Sequence, residues 1–134
     1  MFEVSIRVIY GDTDQMGVVY YANYLRYFDQ ARSELFRFLG GSYRQMEVEG
    51  LMLPVVEAQC RYKAPAHYDD LLKLKIWVEE MERARVTFAY ELRRDKEEAL
   101  LAKGKTIHVC MSKNGRVTRL PDSVVRLVQQ QCAA

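Results

Sequence analysis

This sequence has little soft metal-ligand or redox chemistry: two histidines and three cysteines in 134 residues. Cys60, Cys110 and Cys132 are odd in number, widely spaced and without a CxxC pair. That argues against a disulfide framework or a structural zinc site, and for reduced cysteines packed as small hydrophobes in a cytoplasmic protein. His67 and His108 lie far apart with no HxxH or HExxH spacing, so they read as a loop and a strand histidine, and no metal is expected. Excess charge of one sign is also missing. Twenty Lys and Arg against 18 Asp and Glu leave a net charge of +2, too balanced for a dedicated nucleic-acid binder. No apolar run approaches the ~20 residues of a membrane-spanning helix. The N-terminal MFEVSIRVIY lacks the basic-then-apolar pattern of an export signal. Repeats, low-complexity tracts and Pro/Ser linkers are absent too. Residues 1–134 therefore read as one domain, long enough to bury a core without disulfides.

What is present is a change of period along the chain. Residues 3–10 alternate, with Val4, Ile6, Val8 and Tyr10 against Glu3, Ser5 and Arg7, which predicts a strand. The loop GDTDQMG follows, with glycine at both ends. Residues 22–39 predict one long helix. Its polar positions Arg26, Gln30, Ser33 and Arg37 form one narrow stripe, while Ala22, Tyr24, Leu25, Tyr27, Phe28, Ala31, Leu35, Phe36, Phe38 and Leu39 occupy most of the rest. A helix apolar around most of its girth must be enclosed by other structure. Gly40-Gly41 ends it, and the S-x-x-Q form of Ser42–Gln45 predicts a short second helix near 43–49. Strands are then predicted at 53–63, 71–81, 84–94 and 98–111, the last two joined as a hairpin by the polar turn Arg94–Glu97. Asp122 after Pro121 reads as the N-cap of a short closing helix. A strand, a long buried helix and four strands in a row indicate an α+β fold, an antiparallel sheet of five strands around the helix. Such a sheet covers only one of its faces, so its edges and outer face call for a partner copy.

The densest chemistry lies between Gly11 and Tyr24. Two carboxylates, Asp12 and Asp14, sit just ahead of the buried helix. A carboxylate there suits general-base or nucleophilic work, and free N–H groups near Tyr21 to Asn23 can polarise a carbonyl and hold the resulting oxyanion. Both aspartates can equally well make Asx turns and cap the helix, and the residue pattern alone leaves the two readings open. Ser33 has no nucleophile-elbow context, which disfavours a serine hydrolase.

Residues 12–32, D-T-D-x-x-G-V-V-Y-Y-x-N-Y-L-x-Y-F-D-x-A-R, resemble the signature of the 4-hydroxybenzoyl-CoA thioesterase-like hotdog family, most closely its Tol-Pal-associated acyl-CoA thioesterase branch. The likeness extends over nearly the whole chain, including Ala64–Asp70. It implies a hotdog fold, assembly as a homodimer or homotetramer, and hydrolysis of acyl-CoA by water without a metal or redox cofactor. By position, Asp14 takes the place of the family's catalytic carboxylate, and the Tyr21 backbone N–H that of its thioester-polarising donor. Gly17 fits a close backbone approach in the loop. Tyr20, Tyr24 and Tyr27 form a stripe that could line an acyl pocket or simply pack as core, and the residue pattern leaves both readings open. Arg83 and Arg85 fall where the family places basic residues that meet coenzyme A phosphates from a neighbouring subunit. That branch usually has His where this chain has Tyr21; the backbone donor survives the change, while the side chain that positions substrate does not. A hotdog hydratase or dehydratase is the alternative enzyme, but it would need a His/Asp or His/Glu pair at the active helix, and no His lies between residues 1 and 66. A non-catalytic acyl-thioester binding protein is the third reading. The acyl group, coenzyme A against acyl carrier protein, and base against anhydride mechanism stay open.

Overall fold

The strictest alternation in the chain, Leu72-Lys73-Leu74-Lys75-Ile76-Trp77-Val78, becomes its longest strand. A computed structural model describes residues 1–40, 46 and 48–129. In it β4 (Leu71–Met81) pairs on one side with β1 (Phe2–Arg7) and on the other with β5 (Arg85–Arg94). β6 (Leu100–Val109) and β3 (Val55–Tyr62) complete an antiparallel sheet of order β1-β4-β5-β6-β3. β2 (Leu51–Met52) and β7 (Met111–Ser112) form a separate two-stranded ladder. Period-two alternation sends Leu72, Leu74, Ile76, Val78, Val86, Phe88, Tyr90 and Leu92 to one face, where all are buried. The register row Glu3–Lys75–Glu91–Lys103–Arg61 crosses the opposite face.

α1 (Asn23–Phe38) packs on the apolar face through Tyr24, Tyr27, Phe28, Ala31, Arg32, Leu35 and Phe36, the three-and-four spacing of a single buried stripe. Its burial is one-sided. Leu25, Arg26, Asp29, Gln30, Glu34, Arg37 and Phe38 are exposed, a wider open face than the polar stripe predicted. At the closest approach the Phe28 ring stacks on Tyr90, with centroids 4.2 Å apart and planes 10° from parallel. Gly104 makes room for that ring: a Cβ there would lie 2.6 Å from the Phe28 ring and 2.4 Å from the Gln59 carbonyl oxygen. No β-strand residue with a side chain fits that position.

Several predicted boundaries move, each for a local reason. The first strand stops at Arg7, and Tyr10–Asp12 forms a 3₁₀ turn. There the Ile9 N–H donates to the Asp12 carboxylate, a side-chain acceptor that competes with the ladder. The 53–63 strand begins at Val55, after Pro54, with Leu51–Met52 drawn into the small ladder. The 98–111 strand breaks at Cys110, where β6 hands over to β7. In α2 (Asp122–Gln129) Asp122 is the first helical residue instead of the N-cap, and the Val125 N–H donates to the Pro121 carbonyl. Of the helix predicted near 43–49, Met46 and Val48 are helical and the remainder, with Ser42–Gln45, lies largely outside the described residues. Cys132 also lies outside them, while Cys60 and Cys110 are free thiols.

The core encloses a directed polar chain. Arg32 Nη1 donates to the Tyr90 hydroxyl (2.8 Å), and that hydroxyl lies 2.7 Å from Thr106 Oγ1. Thr106 Oγ1 is 2.8 Å from His108 Nε2, and His108 Nδ1 donates to the Leu53 carbonyl (2.9 Å). A carbonyl can only accept, so Nδ1 carries the proton and Nε2 of the neutral ring accepts from Thr106. Burial pushes the His108 pKa from the usual 6.5 down to about 4, and the nearby Arg32 charge pushes the same way. The unfolded chain therefore binds the extra proton first. Stability from this group is complete above pH 6.5, declines as the pH falls from 6.5 to 4, and is constant below 4, a loss on the order of 3 kcal/mol. Thermal melts across that window should show the decline in the native protein, and His108→Gln should flatten it.

Candidate active site

Asp12 holds the signature loop in place with both of its oxygen-bearing groups. Its side chain is buried and accepts from the Ile9 N–H (3.2 Å), from the Tyr27 hydroxyl (2.9 Å) and from Arg26, with which it forms an ion pair. Its backbone carbonyl accepts from the Tyr20 N–H and from Asn23 Nδ2, each at 2.9 Å. One residue thus ties the entry of the loop to its exit and to the first turn of α1. Arg26 and Tyr27 are the residues the sequence did not assign to this task. Their helical spacing from Asn23 carried no such signal.

Between these anchors the chain makes a tight hairpin. The Asp14 N–H donates to the Val18 carbonyl and the Gly17 N–H to the Asp14 carbonyl, both at 2.9 Å. Gly17 has φ +79°, and a Cβ there would have open space. Its glycine is required by the left-handed turn, not by the close approach the sequence suggested. The hairpin leans on the segment before β4: Val18 bridges His67, and the Val19 N–H donates to the Ala66 carbonyl. Asp14 is half-buried. Its Oδ1 accepts one hydrogen bond, from the Met16 N–H at 2.9 Å, an Asx turn. The carboxylate borders a cleft of about 630 Å³ lined by Tyr10, Thr13, Asp14, Gln15, Gly17 and Tyr68.

The helix start follows the hairpin in the chain. The Asn23 N–H donates to the Tyr20 carbonyl (2.9 Å), the Tyr24 N–H to the Tyr21 carbonyl (3.3 Å), and no side chain caps α1. Among the described residues the N–H groups of Tyr21 and Ala22 meet no acceptor. These two unengaged donors and the positive end of the helix dipole make this a place for developing negative charge. The Tyr20 hydroxyl is held above its ordinary pKa, chiefly by its hydrogen bond to Tyr21, with the Asp14 carboxylate adding to the effect.

The predicted site residues divide into three places. Asp14 and Gly17 share the cleft. Tyr21 is exposed at the helix start, whereas Tyr24 is in the core, its hydroxyl accepting from the Ala66 N–H. Tyr27 is fully buried and committed to Asp12. Arg83 and Arg85 stand at the β4–β5 connection, with Arg83 beside Arg119 and α2. Asp14 belongs to the other end of the sheet, near the start of β4. The 11 residues of β4 separate the two ends by roughly 33 Å.

This fold and this loop define a class. Residues 8–128 match the thioesterase-like superfamily, and the chain belongs to it. Its antiparallel sheet and single long helix are the hotdog-like fold of that superfamily. The chain is 30% identical over 131 residues to the acyl-CoA thioester hydrolase YbgC of Escherichia coli O6:H1, with 97% of each chain covered. It is similar to a hypothetical protein of known structure from Aquifex aeolicus, with TM-score 0.91, 34% identity, and 96% of this chain and 99% of that one covered. It is likewise similar to the structure of a 1,4-dihydroxy-2-naphthoyl-CoA thioesterase from Synechocystis, with TM-score 0.91, 27% identity, and 96% and 95% covered.

The two aspartates should separate cleanly in stability. Asp12→Ala leaves the buried Tyr27 hydroxyl and the Ile9 N–H without their acceptor and should cost about 2–4 kcal/mol in urea unfolding. Asp14→Asn, on a half-exposed hairpin, should stay within about 0.5 kcal/mol of the native protein.

Proposed function

We propose that this chain is an acyl-CoA thioesterase that hydrolyses its substrate to the free acid and coenzyme A. The observation that carries the reading is a half-exposed carboxylate, Asp14, in an open cleft on the loop that leads into α1, where the Tyr21 and Ala22 N–H groups just ahead of the helix are unengaged among the described residues. The names of the relatives support the substrate class. With its carbonyl oxygen at the Tyr21 N–H, the thioester is polarised where the helix dipole favours an oxyanion. Water then adds to the carbonyl carbon as Asp14 takes its proton. The C–S bond breaks, and the proton leaves with the thiol. In the anhydride variant Asp14 itself attacks, coenzyme A departs as thiolate, and water hydrolyses the acyl-Asp14 bond. Neither route changes an oxidation state, so neither calls for a redox cofactor. Gly17 sets the turn that presents Asp14, and Tyr24 backs the aromatic wall on which the acyl group rests.

The site needs a second copy. Arg83 and Arg85 can meet coenzyme A phosphates at Asp14 only from another subunit, since their own chain holds them at the far end of the sheet. The edge strand β3 pairs on one side only and exposes Val55 and Val56, which supports pairing with another copy. A homodimer or homotetramer built this way would also enclose the open face of α1, completing the sheet around the helix. The free thiols of Cys60 and Cys110 fit work in the reducing cytoplasm, and among the described residues no helix is long and apolar enough to cross a membrane.

A thiol-release assay over a panel of acyl-CoA esters tests this directly. Asp14→Asn should lower kcat at least ~100-fold with little change in KM. Thioester binding without thiol release would favour the binding-protein reading, and turnover of an enoyl thioester without thiol release the hydratase reading. Light scattering should report a dimer or tetramer. Arg83→Ala and Arg85→Ala should weaken acyl-CoA by about 1.5–3 kcal/mol while sparing an acyl-N-acetylcysteamine thioester, which lacks the nucleotide. Equal losses on both substrates would return the arginines to a purely structural place.

A further inference from the structure

Tyr62 is the last residue of β3, 41 positions from the helix start, yet its hydroxyl donates to the Tyr21 carbonyl at 3.0 Å. Its ring is clasped edge-on, 5.1 Å from Tyr24 at 78° and 6.3 Å from Tyr21 at 90°. The hydroxyl is therefore aimed by two aromatic contacts as well as by the strand. Tyr62 is 48% exposed, and its hydroxyl is protonated, and so a donor, at neutral pH as any tyrosine is.

We infer that Tyr62 is a positioning residue for the Ala22 N–H, a second thioester-polarising donor next to the Tyr21 N–H, an inference that rests on the thioesterase reading above. The geometry of the two peptide groups around Tyr21 carries the argument. The peptide that holds the Tyr21 N–H is fixed by its Tyr20 carbonyl, which accepts from the Asn23 N–H at 2.9 Å. The next peptide holds the Ala22 N–H, and its Tyr21 carbonyl accepts only a long bond from within the helix, 3.3 Å from the Tyr24 N–H. The Tyr62 hydroxyl supplies the shorter bond to that carbonyl. A donor on a peptide C=O polarises the whole amide, so the N–H opposite becomes a stronger donor. Tyr62 thus orients the second peptide plane and strengthens the Ala22 N–H. The bond bridges β3 and α1, so the edge strand of the sheet reports directly to the oxyanion position.

The test is Tyr62→Phe, which keeps the ring and both aromatic contacts and removes only the hydroxyl. We expect kcat on the best acyl-CoA of the panel to fall 5- to 10-fold, KM to stay within 2-fold, and the melting temperature to move by no more than ~2 °C. The amide ¹⁵N–¹H resonance of Ala22 should shift while amides beyond the second turn of α1 stay in place. An unchanged kcat, or a loss of kcat matched by a large fall in melting temperature, would overturn the positioning role. An unmoved Ala22 resonance would overturn it whatever the native protein hydrolyses. Absence of thiol release by the native protein across the panel would instead defeat the thioesterase reading, and the catalytic part of this inference with it.

Discussion

A single buried carboxylate decides where the chemistry of this chain can sit. Asp12 gathers a backbone donor from before the loop, a hydroxyl and a guanidinium from α1, and offers its own carbonyl to the loop's far end. A carboxylate can be buried only where hydrogen bonds and countercharge compensate its lost hydration, and here all of them come from the segments that must be brought together. The neighbouring Asp14 has a different fate because its surroundings supply one local N–H and solvent. Two residues of the same type, two positions apart, are thereby sorted into a buried, fully engaged carboxylate and an accessible one by what surrounds them.

The parts of the fold written in local periodicity were legible in advance. β4 occupies the predicted 71–81, since alternation against a buried face leaves little freedom of register. The boundaries that moved did so where a side chain or a proline competed with the ladder, at Asp12 and Pro54. The extent of α1's burial was misjudged for a different reason. Leu25 and Phe38 are apolar yet exposed in the single chain, and hydrophobicity records a need for cover without naming what provides it. The burial of Arg32 follows from its place four residues after Phe28, though a charged residue on a core stripe is easily passed over.

The site divides along the same line. Asp14, Gly17 and Tyr21 lie within one short stretch, and the motif that contains them is contiguous. Asp12 holding Tyr27, or Tyr62 holding Tyr21, are contacts made by tertiary packing, and no spacing rule in a single sequence joins residues 41 apart. The separation of Arg83 and Arg85 from Asp14 was implicit in the antiparallel order, because consecutive strand ends alternate between the two rims of a sheet.

Gly104 has a mechanical consequence for this arrangement. The Phe28 ring sits in the notch left by the missing side chain, with the Gln59 carbonyl and the Tyr90 ring as its walls. Close packing at such a notch fixes where the ring, and with it α1, sits on the sheet. The first turn of α1 begins only about 7.5 Å upstream of that ring. The registration of its N–H groups against the hairpin therefore inherits the tolerance of a close-packed interior, not that of a surface loop. Precision at the rim of this molecule is set in its middle, at a residue with no side chain.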